Sequence, residues 1–227
     1  MKINYNFEMM NIIKGFNGRR PSLLLHSCCG PCSTSVILRL KDYFEITVYY
    51  YNPNIYPKEE YLRREEEQRL YLDSLGIKYI QGDYENDKYE SAISGLEMEP
   101  EGGLRCSVCF KMRLENTATI ADKLNAEYFT TTLTVSTHKN SKVINEIGLE
   151  IAKDIKVKYL SSDFKKDDGY KKSVQMSQEL GMYRQDYCGC FYSKKEREKK
   201  IEENVWQNSV RLRWYNYRFK RRYFKIN

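Results

Sequence analysis

The chain reads as an α/β protein built on a mostly parallel sheet flanked by helices, and three observations predict it. Short runs rich in apolar, β-branched and aromatic residues recur along the 227 residues, and each is followed by a longer segment with helical spacing. Hydrophobic content of 41% and charged content of 30% are those of a globular domain. Cysteines fall in the connecting segments, so the loops carry the chemistry and the regular elements carry the fold.

Taking the elements in order, residues 5–17 carry Phe7, Met10, Ile12, Ile13 and Phe16, the pattern of an amphipathic lead-in helix. The first strand, Ser22–Ser27, is an apolar run ending in Cys28-Cys29-Gly30-Pro31-Cys32. Pro31 marks the start of a helix to about residue 41, because proline is favoured where no N–H is needed. Glu45–Tyr51 is the second strand, closed by the loop Asn52–Pro57. A charged helix follows over Lys58–Ser74, with Tyr61, Leu62, Leu70 and Leu75 expected inward and Gly76 as its cap.

Ile77–Gln81 is the third strand, and Asp87–Leu104 is less regular, with a Gly102-Gly103 turn. Met112, Ala118, Ile120 and Ala121 predict a helix over Cys106–Lys123. The remaining core elements are a strand at Glu127–Leu133, a helix at Asn140–Lys153, a strand at Val157–Ser161 and a helix at Lys171–Leu180. A charged helix from Ser193 to about Glu203 leads into the end of the chain. Together these elements describe a Rossmann-like (HUP-like) sheet with cysteine-bearing loops at the carboxyl edge of its strands, where open α/β sheets place their ligands.

Residues 1–208 form one expected domain, and 209–227 a basic tail. The net charge of +7 is carried by that tail, whose Arg211, Arg213, Arg218, Lys220, Arg221, Arg222 and Lys225 meet no acid. Interleaved Trp214, Tyr215, Tyr217, Phe219, Tyr223 and Phe224 suit phosphate neutralisation combined with stacking on bases. The same composition also suits a terminal segment that packs on the body with its charges solvated. No apolar run reaches the length of about 18 residues that a membrane span requires. The first residues, Met1-Lys2-Ile3-Asn4-Tyr5, lack the order of a signal peptide, so a cytoplasmic protein without a membrane partner is expected.

Seven cysteines in a reducing compartment point to metal or redox chemistry. Cys28, Cys29 and Cys32 sit where a helix begins, and its positive end favours thiolate over thiol. Cys106 and Cys109 have the spacing of a zinc or cluster ligand pair, but the adjacent leading pair and the excess over four ligands fit an iron–sulfur cluster better than structural zinc. A metal-free thiol–disulfide enzyme is the third possibility. Cys188-Gly189-Cys190 could close a strained, redox-active disulfide or supply two more ligands. His26, at the end of a buried strand, reads as a packed core histidine. His138, in a polar loop, is placed for substrate contact or beside a helix cap at Ser136 or Thr137.

Six motifs now resemble one family: Cys28-Cys29-Gly30-Pro31-Cys32; Tyr51-Asn52-Pro53-Asn54-Ile55 with Pro57 and Glu60-Tyr61; Gly103-Leu104-Arg105-Cys106-x-x-Cys109-Phe110; Thr130-Thr131-Thr132-Leu133; Ser162-Asp163-Phe164-Lys165-Lys166; and Tyr183-Arg184-Gln185-Asp186-Tyr187-Cys188-Gly189-Cys190. Their order from about Ser22 to Ser193 is that of the QueH family, the cobalamin-independent epoxyqueuosine reductases. The resemblance implies an oxidoreductase that completes queuosine formation by deoxygenating an epoxide to an alkene on the wobble base of tRNA. It implies a [4Fe–4S] cluster on Cys28, Cys29, Cys106 and Cys109. It also implies a redox-active pair at Cys188 and Cys190, a second mononuclear iron held by the remaining thiolates, Cys32 among them, and an electron donor outside the chain. Asp186, Tyr187, Lys165 and Lys166 are then the candidate proton donors. Arg105, Arg184, Arg213, Arg218, Arg221 and Arg222 are the candidate RNA contacts. An ATP-pyrophosphatase type thiolation enzyme would need a glycine-rich phosphate loop where Ser27-Cys28-Cys29-Gly30-Pro31 stands. A zinc-stabilised RNA-binding protein is the non-enzymatic alternative.

Overall fold

The computed structural model describes residues 3–223, with side chains through residue 207. The chain forms two compact units, residues 1–184 and 185–227. The first opens with α1 (Tyr5–Lys14), whose Asn4 side chain accepts from the Phe7 N–H. Five strands follow: β1 (Ser22–His26), β2 (Glu45–Tyr50), β3 (Lys78–Gln81), β4 (Tyr128–Thr131) and β5 (Lys158–Tyr159). They pair in the order β3-β2-β1-β4-β5, all parallel, so β1 is central. The connecting helices are α2 (Gly30–Leu40), α3 (Lys58–Leu75), α4 (Asn86–Ala92), α5 (Leu104–Lys123), α6 (Ser141–Ile151) and α7 (Gly169–Glu179).

Side chains alternate across a strand, so the Leu23-Leu24-Leu25 run feeds both layers. Leu23 and Leu25 join Met9 and Ile13 of α1, Val36, Ile37 and Leu40 of α2 and Leu72 of α3. Leu24 faces the other way, with Leu114, Ala118 and Ala121 of α5 and Ile144 of α6. Each fully buried leucine contributes about 1.5–3 kcal/mol of transfer free energy. The central strand is therefore sealed on both faces, and its carboxyl end is a fixed platform.

Several expected boundaries shift. The inward stripe of α3 is Tyr61, Arg64, Gln68 and Leu72, while Leu62, Leu70 and Leu75 are exposed. Gly76 takes the left-handed cap expected of it, with φ +64°. In α1 the buried side chains are Tyr5, Met9 and Ile13, and Phe7 is exposed. The fourth strand is shorter than expected because Thr132–Val135 coils into a 3-10 turn.

Two successive left-handed residues, Asp167 and Asp168, turn the chain into α7. A Cβ on Gly169 would lie 1.8 Å from the Phe164 carbonyl oxygen. Gly169→Ala is therefore expected to displace the 162–166 segment and to cost about 1–3 kcal/mol. Urea unfolding midpoints of the two proteins measure this, and an unchanged midpoint would contradict it.

The second unit contains α8 (Phe191–Tyr223), a single helix of 33 residues where the sequence suggests a shorter one. The tail residues Arg213, Arg218, Arg221 and Arg222 fall on this helix, but their side chains lie outside the described residues. No described helix is long and apolar enough to cross a membrane.

Candidate metal centre

The chain leaves the sheet at the carboxyl end of β1 and is held there by buried polar groups. The Ser27 N–H still donates to the Tyr49 carbonyl, at 2.8 Å. The Ser27 carbonyl accepts from Asn52 Nδ2 at 2.9 Å, and Ser27 Oγ donates to Gln68 Oε1 at 2.5 Å. Gln68 Nε2 reaches Ser33 Oγ at 3.0 Å, which ties the first turn of α2 to α3. Such groups are costly to bury unless satisfied, and these four are satisfied by one another. The loop is therefore fixed before any ligand enters.

On this platform Cys28, Cys29 and Cys32 place their Sγ atoms within 4.8 Å of one another. This is the one group of three or more potential ligands among the described residues, and Cys106 and Cys109 are not part of it. Cys28 and Cys29 nevertheless share one buried cluster with Phe110 of α5, Cys32 and Cys106 pack against it, and Cys109 is itself buried. Cys29 is the residue preceding α2, and Cys106 and Cys109 lie in the first two turns of α5, so both cysteine groups stand at helix amino ends. The partial positive charge there favours thiolates. Gly102 N–H donates to Cys106 Sγ at 3.2 Å.

Cys28 gathers most of the interactions. Its N–H donates to Thr132 Oγ1 at 3.2 Å, its Sγ is 3.5 Å from that hydroxyl, and it is 3.8 Å from Cys29 Sγ. Thiol hydrogen bonds from Cys29 and Cys32, followed by the charges of Lys139 and Arg113, hold Cys28 well below the usual thiol range. Cys29 is pushed up to about 11, chiefly because its proton is shared with Cys28. Of the three thiols, Cys28 is the one its neighbours favour as thiolate, while Cys29 and Cys32 are pushed the other way.

Arg113 is the buried cation of the site. Its Nη1 lies 3.9 Å from Cys109 Sγ, its Nε donates to His26 Nε2 at 3.3 Å, and Nη2 donates to Asn52 Oδ1. His26 is buried, with Nδ1 2.8 Å from Thr131 Oγ1 and Nε2 3.0 Å from the Tyr51 carbonyl. Burial and the neighbouring Arg113 push its pKa down to about 3, so it is a neutral structural imidazole, as the sequence suggests. Spacing alone could have flagged Arg113, four residues after Cys109 on one helix face. Nothing in the sequence points to Gln68.

The other expected site residues are placed as follows. Arg105 is buried, with Nη1 donating to the carbonyls of Glu97 and Glu99, so it braces the turn ahead of α5. Arg184 Nη1 donates to Ser177 Oγ at 3.2 Å, and its guanidinium lies 5.7 Å from the Tyr170 ring centre. His138 is exposed, its N–H on Ser136 Oγ, and the cap of α6 is Asn140. In the second unit Asp186 is exposed and 3.3 Å from Arg197 Nε.

No disulfide joins Cys188 and Cys190, so of the two readings the sequence left open for this pair the disulfide is not supported. Cys190 is engaged instead by the start of α8: the Ser193 N–H donates to its Sγ at 3.4 Å and Ser193 Oγ to its carbonyl at 2.9 Å. Gly189, at φ +135°, makes the turn that permits this.

Seven cysteines, four of them in or against one buried cluster at two helix amino ends, match the donor chemistry of an iron–sulfur group. The family described as Epoxyqueuosine reductase QueH matches residues 23–196. The chain is 45% identical over 202 residues to the Epoxyqueuosine reductase QueH of Streptococcus pyogenes serotype M1, covering 86% of this chain and 79% of that one. It is 44% identical over 202 residues to that of Staphylococcus epidermidis, covering 85% of each. The Thermotoga maritima protein of the same name is 36% identical, with 80% of this chain and 95% of that one covered. Among solved structures, the U34-tRNA thiolase NcsA from Methanococcus maripaludis with its [4Fe–4S] cluster superposes with a TM-score of 0.48 at 13% identity. That superposition covers 89% of this chain and 73% of that one.

Proposed function

Because the chain belongs to the epoxyqueuosine reductase QueH family, we infer that it is an oxidoreductase that reduces epoxyqueuosine to queuosine at the wobble position of tRNA. The epoxide becomes an alkene and its oxygen leaves as water, which consumes two electrons and two protons. Family membership over residues 23–196 carries the reading, and the buried cysteine group supports it.

Cys28, Cys29, Cys106 and Cys109 are proposed to hold a [4Fe–4S] cluster, and Cys32 with Cys188 and Cys190 to serve a second mononuclear iron or store reducing equivalents. Such a group, when bound, supplies electrons singly, at a potential set by hydrogen bonds to sulfur, charge and solvent exposure. The chain's own contribution is to favour thiolate at Cys28 and to fix the loop that carries the cysteines. Helix amino ends and Arg113 favour thiolates, Thr132 fixes Cys28, and the platform beneath stays rigid. Protons are assigned to Asp186, Tyr187, Lys165 or Lys166, and the electrons to a donor outside the chain.

One observation favours a zinc-stabilised RNA-binding protein instead. The Cys28–Cys29 separation of 3.8 Å matches the edge of a tetrahedron with bonds of about 2.3 Å, as in zinc–thiolate sites. Turnover separates the two. The full chain, purified and loaded without oxygen, is incubated with epoxyqueuosine-containing tRNA and a strong one-electron reductant, and the digested nucleosides are weighed by mass spectrometry. Conversion to a nucleoside lighter by one oxygen is expected. A fully iron- and sulfide-loaded chain that leaves epoxyqueuosine intact would contradict the assignment.

A further inference from the structure

A cavity of about 1060 Å³ opens at the carboxyl edge of the sheet, between the amino ends of α1 and α6 and the segment that follows β5. Lys139, Lys142, Lys165 and Lys166 line it, together with Asn140 and Ser141. Two acids share the lining, each close to one lysine: Glu146 at 3.6 Å from Lys142, and Asp163 at 3.1 Å from Lys165. Four lysines against two acids leave an excess of two positive charges. A second cavity of about the same volume lies at the opposite, amino edge of the strands, lined by Leu23, Ile46, Ile77 and Lys41 among others. Arg20, Lys41 and Lys78 against Glu45 leave the same excess there, so position decides: of the two, only the first opens at the edge of the sheet that carries the cysteines.

Its link to the cysteines is covalent and short. Thr132, whose hydroxyl meets Cys28, begins the same 3-10 turn that contains Thr134. The Thr134 carbonyl accepts from the Lys165 N–H at 3.2 Å, and its hydroxyl meets Ser162 Oγ at 3.1 Å. One four-residue turn therefore positions both the thiolate and the floor of the cavity. The lining favours lysine over arginine. Lysines are mobile point charges that neutralise phosphate without demanding one geometry, as a flexible backbone requires.

We propose that this lysine-lined groove seats backbone phosphates of the tRNA anticodon loop and so delivers the modified nucleotide to the cysteine centre. The assignment rests on the tRNA reading above and adds a location to it. Lys165 and Lys166 then act in substrate positioning. Because the groove lies within residues 1–184, it provides an RNA contact independent of the arginines of the tail.

The test is equilibrium binding of substrate tRNA to the full chain, followed by fluorescence anisotropy across a salt series. Each phosphate contact removed is expected to lower the slope of log affinity against log salt by roughly 0.7–0.9. The triple variant Lys139→Ala, Lys142→Ala, Lys166→Ala is expected to bind about tenfold or more weakly at roughly 0.1 M salt, with a slope lower by about two. The double variant Lys142→Ala, Lys166→Ala keeps Lys139 and is expected to show most of the loss. Lys41→Ala, at the opposite edge, is expected to bind as the parent does. A triple variant with unchanged affinity and slope, beside a parent chain that binds, would overturn the groove alone. A parent chain that binds no tRNA would overturn the functional reading and the groove with it.

Discussion

Replacing Cys28 by alanine is expected to remove bound iron and sulfide from the protein and to abolish epoxide reduction. Cys28 is held through both its backbone and its sulfur. Thr132 fixes its backbone and sulfur, Cys29 lies at 3.8 Å, and Lys139 and Arg113 hold it ionised. Its loss takes away the thiol of the trio most favoured as thiolate and leaves Arg113 buried beside fewer negative groups, which is costly in the interior. Turnover should fall by more than the roughly 10–100-fold that accompanies loss of a ligand's outer-shell partner. Thr132→Val, which removes only such a partner, sets the comparison. Iron and sulfide content measured beside the rate checks the order of effects. A Cys28→Ala protein with parental metal content would contradict it.

Arg113→Met is expected to destabilise the metal-free protein by about 3 kcal/mol and to weaken metal retention by roughly 10–100-fold. The guanidinium satisfies Asn52, His26 and the Cys109 sulfur at once, and methionine fills the volume while leaving each of them short of a partner. Removing positive charge and a hydrogen bond near sulfur also lowers the potential at which a cluster accepts electrons. Arg113→Lys keeps the charge but loses the planar fork, so it should recover the potential more fully than the stability. Denaturant unfolding and a redox titration read the two effects separately. A methionine variant with parental stability and potential would show that Arg113 is only a space-filling residue.

Much of the first unit is legible in the sequence, because β1 and β2 are rich in apolar, β-branched and aromatic residues and proline or glycine marks the ends of α2 and α3. Leu23-Leu24-Leu25 could only be a buried strand, and Gly76 could only be a helix end. The failures have a common cause. On α3 a reading by hydrophobicity turns Leu62, Leu70 and Leu75 inward, whereas the buried face is Tyr61, Arg64, Gln68 and Leu72. This interior includes polar groups that hold a loop in place, so Gln68 satisfies Ser27 and Ser33 where a leucine would leave them unpaired.

Arginine misleads in the same way. Arg105, expected at an RNA phosphate, lies in the interior on backbone carbonyls, and Arg113 does its work there as well. Arginine is buried rarely enough that composition assigns it to the surface. The cysteines were the opposite case. Adjacency in Cys28-Cys29 and the helix start at Pro31 placed three thiols at the carboxyl end of β1, and the structure gathers those three most tightly. What spacing could not reveal was the lysine groove, since Lys139, Lys142, Lys165 and Lys166 come from two loops that only the order β1-β4-β5 brings together.

The most direct measurement is iron, zinc and acid-labile sulfide content, with a visible spectrum, on the full chain purified without oxygen. A cluster plus a second iron predicts about five irons and about four sulfides per chain, with broad visible absorption bleached by reductant. About one zinc per chain, with no sulfide and no colour, would contradict the iron–sulfur mechanism and leave the cysteines as a structural zinc site.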